Sequence, residues 1–509
     1  MLVKVILLVL FFAMTVAIGL YCRRNASSVG DFVLGGRDVG PWLTAFAYGT
    51  SYFSAVVFIG YAGQFGWNFG VAAAWIGIGN AFIGSLLAWV ILGRRTRVMT
   101  KHFESATMPD FFARRYDCPA MKIVSSVIIF IFLVPYSASV YKGLSGLFSM
   151  AFGIDFKWCI IGMAALTALY VILGGYMAAA LNDFVQGIIM LAGICLVIGA
   201  VLDAQGGFMA AMAKLSTVPA PNAPELQGAY ASFFGPDPLA LLGVVVLTSL
   251  GTWGLPQMVH KFYTIKNEKA IKAGTVISTL FALVIAGGSY FLGAFGRLFY
   301  TAEGAVQFDS IVPAMLQQSL PDILIGVVII LVLSASMSTL SSLVIASAST
   351  FTLDFVKGIW LKGMDRRAQI RLIKVLCGVF ILLSVVIALN PGSLITALMS
   401  LSWGALAGSF LGPFLFGLFW KGTTRASVWA CFASGILINV WNTLFPFAAP
   451  TMAGAISIVA SLIIVPAVSL FTPKMDAKYL QDAFSCYEEE VTAPHKFVLD
   501  EVSEYKKEG

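Results

Sequence analysis

Apolar runs of about 20 residues, almost free of charge, follow one another along nearly the whole chain. As a helix, each is long enough to cross ~30 Å of hydrocarbon, and this restricts the fold before any motif is read. The runs are continuous rather than alternating, so they read as helices and not as barrel strands. Apolar residues fill 59% of the 509 positions and charged ones 11%, with a mean hydropathy of +0.89. A soluble domain of this length buries its core with far less. The sequence therefore predicts an all-α polytopic membrane protein.

Reading the runs between charge clusters predicts about thirteen transmembrane helices, over 3–21, 41–67, 71–93, 121–150, 158–175, 183–202, 238–262, 272–296, 322–356, 370–389, 392–420, 424–442 and 450–471. The first run, Val5 to about Tyr21, exceeds the apolar core of a typical signal peptide, and Arg23 and Arg24 follow it directly, so it is read as a retained span. Lys and Arg then set the orientation. One set of alternate loops, with the tail, carries all but five of the 32 basic residues; Lys4, Lys142, Lys157, Lys214 and Arg297 fall on the other side. Thirteen spans with this bias put the N-terminus outside and the C-terminus in the cytoplasm. The formal charge of +7 is thus a topology signal and not a nucleic-acid footprint. The end of the chain, "CYEEEVTAPHKFVLDEVSEYKKEG", is mixed in charge and reads as a solvated tail.

Several function classes lack their residues. The seven cysteines are scattered, with no CxxC, and His102, His260 and His495 have no metal-ligand spacing. No Walker A loop, GxSxG elbow or HExxH occurs, so neither an enzyme nor an ATP-driven pump is expected. A channel would want a ring of charge, and none is visible.

Two spans carry signs of interruption. The second contains "YGTSYFS", where Gly49, Thr50, Ser51 and Ser54 cluster at membrane depth. Small and hydroxylated residues suit a helix that unwinds and frees carbonyls, which a membrane tolerates only beside a cavity or inside protein. Five spans later, "LTSLGTWGLPQMVHKF" places Gly251, Gly254 and Pro256 in mid-run, where Pro256 should remove a helical hydrogen bond. The two run in opposite directions, which points to an inverted-repeat transporter with its site at the midplane; packing glycines and a proline kink are the plainer account. A third feature is "LVLSASMSTLSSLVIASAST" (331–350), in which nine of twenty side chains are hydroxyls. Ser338, Ser341 and Ser342 share a helix face, with Ala335 one turn earlier. Ser334, Ser347 and Ser349 read more simply as packing residues.

These stretches resemble the sodium:solute symporter family, whose bacterial members include proline, pantothenate, galactose and sialic acid symporters. The similarity runs from about residue 30 to 440, through "DFVLGGRDVGPWLTAFAYGTSYFS" (31–54), "YVILGGYMAAALNDFVQG" (170–187), "GLPQMVHKF" (254–262), "SASMSTLSS" (334–342) and "WGALAGSFLGPFLFGLFWKGTTRAS" (403–427). Asn182 stands where the family usually has Thr, and Lys261 where Arg is common. The resemblance implies a LeuT-type core of two inverted five-helix repeats, spans two to eleven. The chain would then divide into an extra N-terminal span (1–30), a first repeat (31–203), an outer loop (204–237), a second repeat (238–421), two peripheral spans (422–472) and a cytoplasmic tail (473–509).

It also implies Na⁺ as the coupling ion. Carried over residue by residue, Ser338 and Thr339 would supply hydroxyl oxygens, and Ala335, Thr50 and Phe53 carbonyls. Five oxygens without a full charge suit a weakly held, exchangeable monovalent cation. A second Na⁺ would use Asp183, Ser338, Ser341 and Ser342, with Asp183 an unpaired intramembrane carboxylate; the same residue could instead cap its helix or face cytoplasmic water. Solute candidates are Tyr52, Ser54, Tyr136, Thr252 and Trp253. The family's proline-binding residues are partly missing and its sugar-binding carboxylates absent, which leaves a lean towards a small organic anion or amino acid. Lys142 could meet a solute carboxylate, or more simply snorkel to the outer surface. The expected function is Na⁺-coupled solute symport into the cell from the plasma membrane. Proton coupling through Asp183 and a transporter-like nutrient sensor are the alternatives.

Overall fold

The computed structural model describes residues 2–22, 29–221, 223–300, 306–360, 363–390, 394–488 and 491. Among these, the regular structure is helical, apart from one isolated bridge between Val39 and Ile265. The principal helices are α1 (Leu2–Cys22), α2 (Pro41–Tyr52), α3 (Ala62–Phe69), α4 (Pro119–Phe152), α5 (Phe156–Asp203), α6 (Pro238–Leu250), α7 (Pro256–Tyr263), α8 (Glu268–Ala282), α9 (Asp322–Thr350), α10 (Arg366–Ala388), α11 (Ile395–Phe419), α12 (Arg425–Leu444), α13 (Pro450–Phe471) and the short α14 (Ala477–Ser485).

Ten helical segments are long and apolar enough to cross a membrane, or eleven with the bent α6–α7 pair as one span. The expected thirteen differ from this at two places. Val56–His102 is a 47-residue stretch containing Gly70 at φ 60°, ψ −140°. Helix α5 has 48 residues and contains Gly175 at φ 60°, ψ −155°. Uninterrupted, each would be about 70 Å long, twice the hydrocarbon thickness. Gly175 is conformationally required: its φ is open to glycine, and an added Cβ would lie 2.8 Å from the Phe32 ring. Helix resumes at once after Gly175, not at 183 as expected.

Helix α2 starts on Pro41 at its first turn and stops at Tyr52, where Phe53 turns extended (φ −105°, ψ 121°). Near the break, the hydroxyls of Thr50 and Ser51 donate back to the carbonyls of Phe46 (2.8 Å) and Ala47 (2.5 Å), a pattern that weakens a helix end. At the second break the sequence predicts that Pro256 removes a hydrogen bond in mid-helix. Instead α6 passes through a short 3₁₀ turn (Gly251–Trp253), Leu255 is extended, and Pro256 opens α7 as its first residue, with the pair bent by 40°. Proline there lacks only an N–H that the first turn leaves unused anyway.

Helix α9 is buried on every side from Val328 to Thr350 and crosses both broken elements. Lipid-facing side chains such as Val9, Leu242, Val386 and Phe471 lie on outer helices. At the end rich in basic residues, Arg37, Arg97 and Arg115 are fully buried. They donate to carbonyls of Ser105 (2.6 Å), Ile265 (2.6 Å) and Gly417 (2.7 Å). The tail was read as solvated, but its start is docked. Cys486 is fully buried, Tyr487 donates to the Leu418 carbonyl (2.7 Å), and Arg95 lies 4.5 Å over the Tyr487 ring. Residues 489–490 and 492–509 lie outside the described chain.

Candidate ion and solute site

Where α2 ends, the carbonyls of Thr50, Ser51 and Phe53 lack the partners a continuing helix would give them. Helix α9 brings hydroxyls to that point. Ser338 Oγ lies 3.0 Å from the Thr50 carbonyl oxygen and 2.9 Å from that of Ala335. Thr339 Oγ1 lies 3.3 Å from Thr50 O, 3.4 Å from Phe53 O and 3.1 Å from Ala335 O. The five residues named from the sequence thus converge, and none is more than 2% exposed. The Ser51 carbonyl, 3.5 Å from Thr339 Oγ1, joins them at the edge. As drawn, each hydroxyl donates its one hydrogen to a carbonyl; turned the other way, it offers a lone pair. Five neutral oxygens of this kind fit a hard monovalent cation.

The second expected set does not come together. Ser341 donates to the Ser338 carbonyl of its own helix (2.8 Å), while the Ser338 hydroxyl faces Thr50. Ser342 instead contacts Ser51 Oγ (2.8 Å) and accepts from Lys261 Nζ (3.0 Å). Asp183 was expected to be unpaired; it is fully buried, with its Oδ2 3.8 Å from the Lys261 ammonium. It caps nothing, since it lies well inside α5.

The solute candidates divide into two groups. The Tyr52 ring stacks on Trp403 at 5.5 Å, its hydroxyl donates to the Thr248 carbonyl, and Tyr136 meets the same Trp403 edge-on at 5.8 Å. Ser54 Oγ accepts from Val56 N–H (3.2 Å) beside a small cavity lined by Phe53, Met190, Ile285 and Leu331. Thr252 and Trp253 are turned away, donating to the carbonyls of Gly84 (3.2 Å) and Ile83 (3.0 Å). Lys142 does not snorkel: it is buried and donates to the Asn390 carbonyl (2.6 Å). The sequence names Ser51 in the first break without giving it a ligand role, and gives no role to Trp403 or to Ser336, whose Oγ accepts from Ala55 N–H just past the break (3.2 Å). Their signal was present only as membership of the quoted motifs.

The sodium:solute symporter family model matches residues 32–435, which takes in both breaks and α9. The chain belongs to the sodium:solute symporter family. It is accordingly a transporter and not an enzyme. Similar proteins include sodium/proline symporters of Staphylococcus aureus (strains JH9 and JH1), each 29% identical over 449 residues, covering 86% of this chain and 85% of the relative. Among solved structures, a Na⁺-coupled sialic acid symporter in a substrate-bound outward-open state superposes with a TM-score of 0.74 at 14% identity, over 93% of this chain and 99% of that one. A nucleobase-cation-symport-1 family transporter in a closed conformation superposes with a TM-score of 0.52 at 15% identity, over 89% and 97%. These likenesses establish a shared transporter fold. Within it, the family motif at 170–187 supplies the Gly175 break, and the one at 334–342 the hydroxyls facing α2.

Proposed function

We propose that this chain couples Na⁺ to the uptake of a small organic solute by alternating access, in a plasma membrane, with its N-terminus outside and its C-terminus in the cytoplasm. Thirteen spans, with two inverted five-helix repeats in spans two to eleven, are the arrangement we infer, divided at 31–203 and 238–421. The observation that carries the reading is the meeting of Thr50, Phe53 and Ala335 carbonyls with the Ser338 and Thr339 hydroxyls, buried between a broken helix and α9. An uncharged oxygen set of this kind binds a monovalent cation weakly enough to release it into a low-Na⁺ cytoplasm.

The solute is assigned to the aromatic cluster of Tyr52, Trp403 and Tyr136, beside the first break. Stacked aromatics there suit an apolar body, and the Tyr136 hydroxyl, which faces Trp403 and Ser54, and the Trp403 N–H can turn to donate to a carboxylate or carbonyl. A small organic acid or an amino acid fits best. Proton coupling through Asp183 is less well supported, because that carboxylate faces a lysine ammonium.

Thermal stability of the purified protein in Na⁺ against K⁺ or choline tests the ion. Na⁺ at ten times its Kd should add about 1.4 kcal/mol, and a carboxylate and amino-acid screen in Na⁺ should then find a further rise. An upward shift on acidification with none from Na⁺ would favour the proton instead.

A further inference from the structure

The Asp183–Lys261 pair is not used by the five-oxygen site, yet it lies next to it. Lys261 is carried by α7, the inner half of the second broken element, and Asp183 by α5. Both are buried. The ammonium sits 3.0 Å from Ser342 Oγ and 3.8 Å from Asp183 Oδ2, with the Tyr176 ring 5.1 Å away. Ser342 Oγ in turn touches Ser51 Oγ at 2.8 Å, and Ser51 adjoins Thr50 of the ion site. Gln257 and Tyr176 line a small cavity around the lysine, and the Gln257 amide has no partner among the described residues.

We propose that Lys261 is a built-in second cation: its ammonium fills the position between Asp183 and Ser342 and limits the chain to one bound Na⁺. This rests on the Na⁺ reading given above. The charge count is the first reason. One carboxylate faces one ammonium here, so an added Na⁺ would leave a net positive charge buried in a low-dielectric interior. Geometry is the second. Ser342 already accepts from the lysine, Ser341 is turned to its own helix and Ser338 to Thr50, so the three hydroxyls expected to share a second ion with Asp183 are not gathered around it. The tether is the third. A free ion enters and leaves, whereas this one moves with α7, and through Ser342 and Ser51 it contacts the helix that ends in the ion site. The cation that balances Asp183 is therefore part of the element that rearranges.

The test is the number of ²²Na⁺ ions bound per chain by the purified protein at saturating Na⁺, with no solute required. Wild type should bind one. Lys261→Arg, which keeps the cation, should also bind one. Lys261→Ala should bind two, because Asp183 is then uncompensated beside a vacated space, and adding Asp183→Asn to Lys261→Ala should return the number to one. Two ions in wild type would overturn the proposal, as would a single ion in a folded Lys261→Ala protein. The wild-type ratio decides even where Lys261→Ala does not fold. No ion bound by wild type would instead defeat the Na⁺ reading itself, a result distinguishable from either.

Discussion

A carbonyl freed from a helix inside a membrane must find another partner, and at Thr50 and Phe53 the partners are the hydroxyls of Ser338 and Thr339. Each hydroxyl contacts carbonyls on two helices, so removing one deletes a proposed ion ligand and a link between α2 and α9 together. Ser338→Ala and Thr339→Ala should each weaken Na⁺ by roughly 10- to 100-fold, about 1–3 kcal/mol, read from the Na⁺ dependence of the melting temperature. Ser349→Ala is the control. Its hydroxyl donates to Ile345 of its own helix (2.6 Å), and Na⁺ dependence should not change. Asp183→Asn should behave differently from all three, because it leaves the Lys261 ammonium buried without its counter-charge. The expected loss is about 3–5 kcal/mol, and Asp183→Asn combined with Lys261→Met should recover most of it. A double variant no more stable than Asp183→Asn alone would show that the pair does not act as a unit.

At the scale of elements, the two breaks are built differently although both read as interruptions. The first ends on hydroxyls that bond backwards; the second ends on glycine and restarts on proline. Gly254 lies where α11 comes closest, and a Cβ there would sit 2.9 Å from Ala407 Cα and 3.0 Å from Leu411 Cβ. Gly254→Ala should therefore cost about 1–3 kcal/mol through displaced backbone, measured as a lower melting temperature that Na⁺ does not restore. The positions of both breaks were legible because Gly, Pro and clustered hydroxyls are rare inside apolar runs. The construction of the second was not, since Pro256 looks the same in sequence whether it bends a helix or begins one. The 175–183 boundary was misplaced for a related reason. A single left-handed Gly175 divides α5 without any polar residue to mark it. The five-oxygen set was legible only through the family motif, because three of its members act through backbone atoms that any residue possesses. The pairing of Asp183 is not legible because its partner lies 78 positions away in sequence, and Lys261 reads there as a motif substitution and as one of the basic residues that set the orientation.

For the whole molecule, the question is which end is shut. At the end rich in basic residues, the segment before α2 is fastened to the segment after α7. Val39 N–H donates to the Thr264 carbonyl (3.2 Å), Lys266 pairs with Asp38 (2.9 Å), and Arg37 reaches the carbonyls of Ser105 (2.6 Å) and Tyr263 (3.4 Å). These two segments flank the two broken elements, so the contacts join the parts that must separate if solute leaves on this side. The orientation we propose from the charge bias puts that side in the cytoplasm. A fluorescent protein fused after residue 509 should therefore be fluorescent, and alkaline phosphatase inserted near residue 220 active; the reverse pattern would invert the orientation.

The same clasp gives the last prediction. Arg37 is 2% exposed and makes charge-assisted bonds to the carbonyls of Thr100 (3.4 Å) and Ser105 (2.6 Å), spanning them with its planar guanidinium. Replacing it with Ala removes about 1.5–3 kcal/mol of contact from the closed end alone, and so should shift the opening equilibrium towards the cytoplasm by roughly 10- to 100-fold. A cysteine placed at Ala179, which lines the cavity around Lys261, reports that opening through its rate of maleimide labelling. Labelling should rise in Arg37→Ala and fall when Na⁺ is added, because an ion held where α2 meets α9 stabilises the arrangement in which the clasp is shut. Unchanged labelling in Arg37→Ala would mean that the closed end is held by packing of the helices and not by these polar contacts.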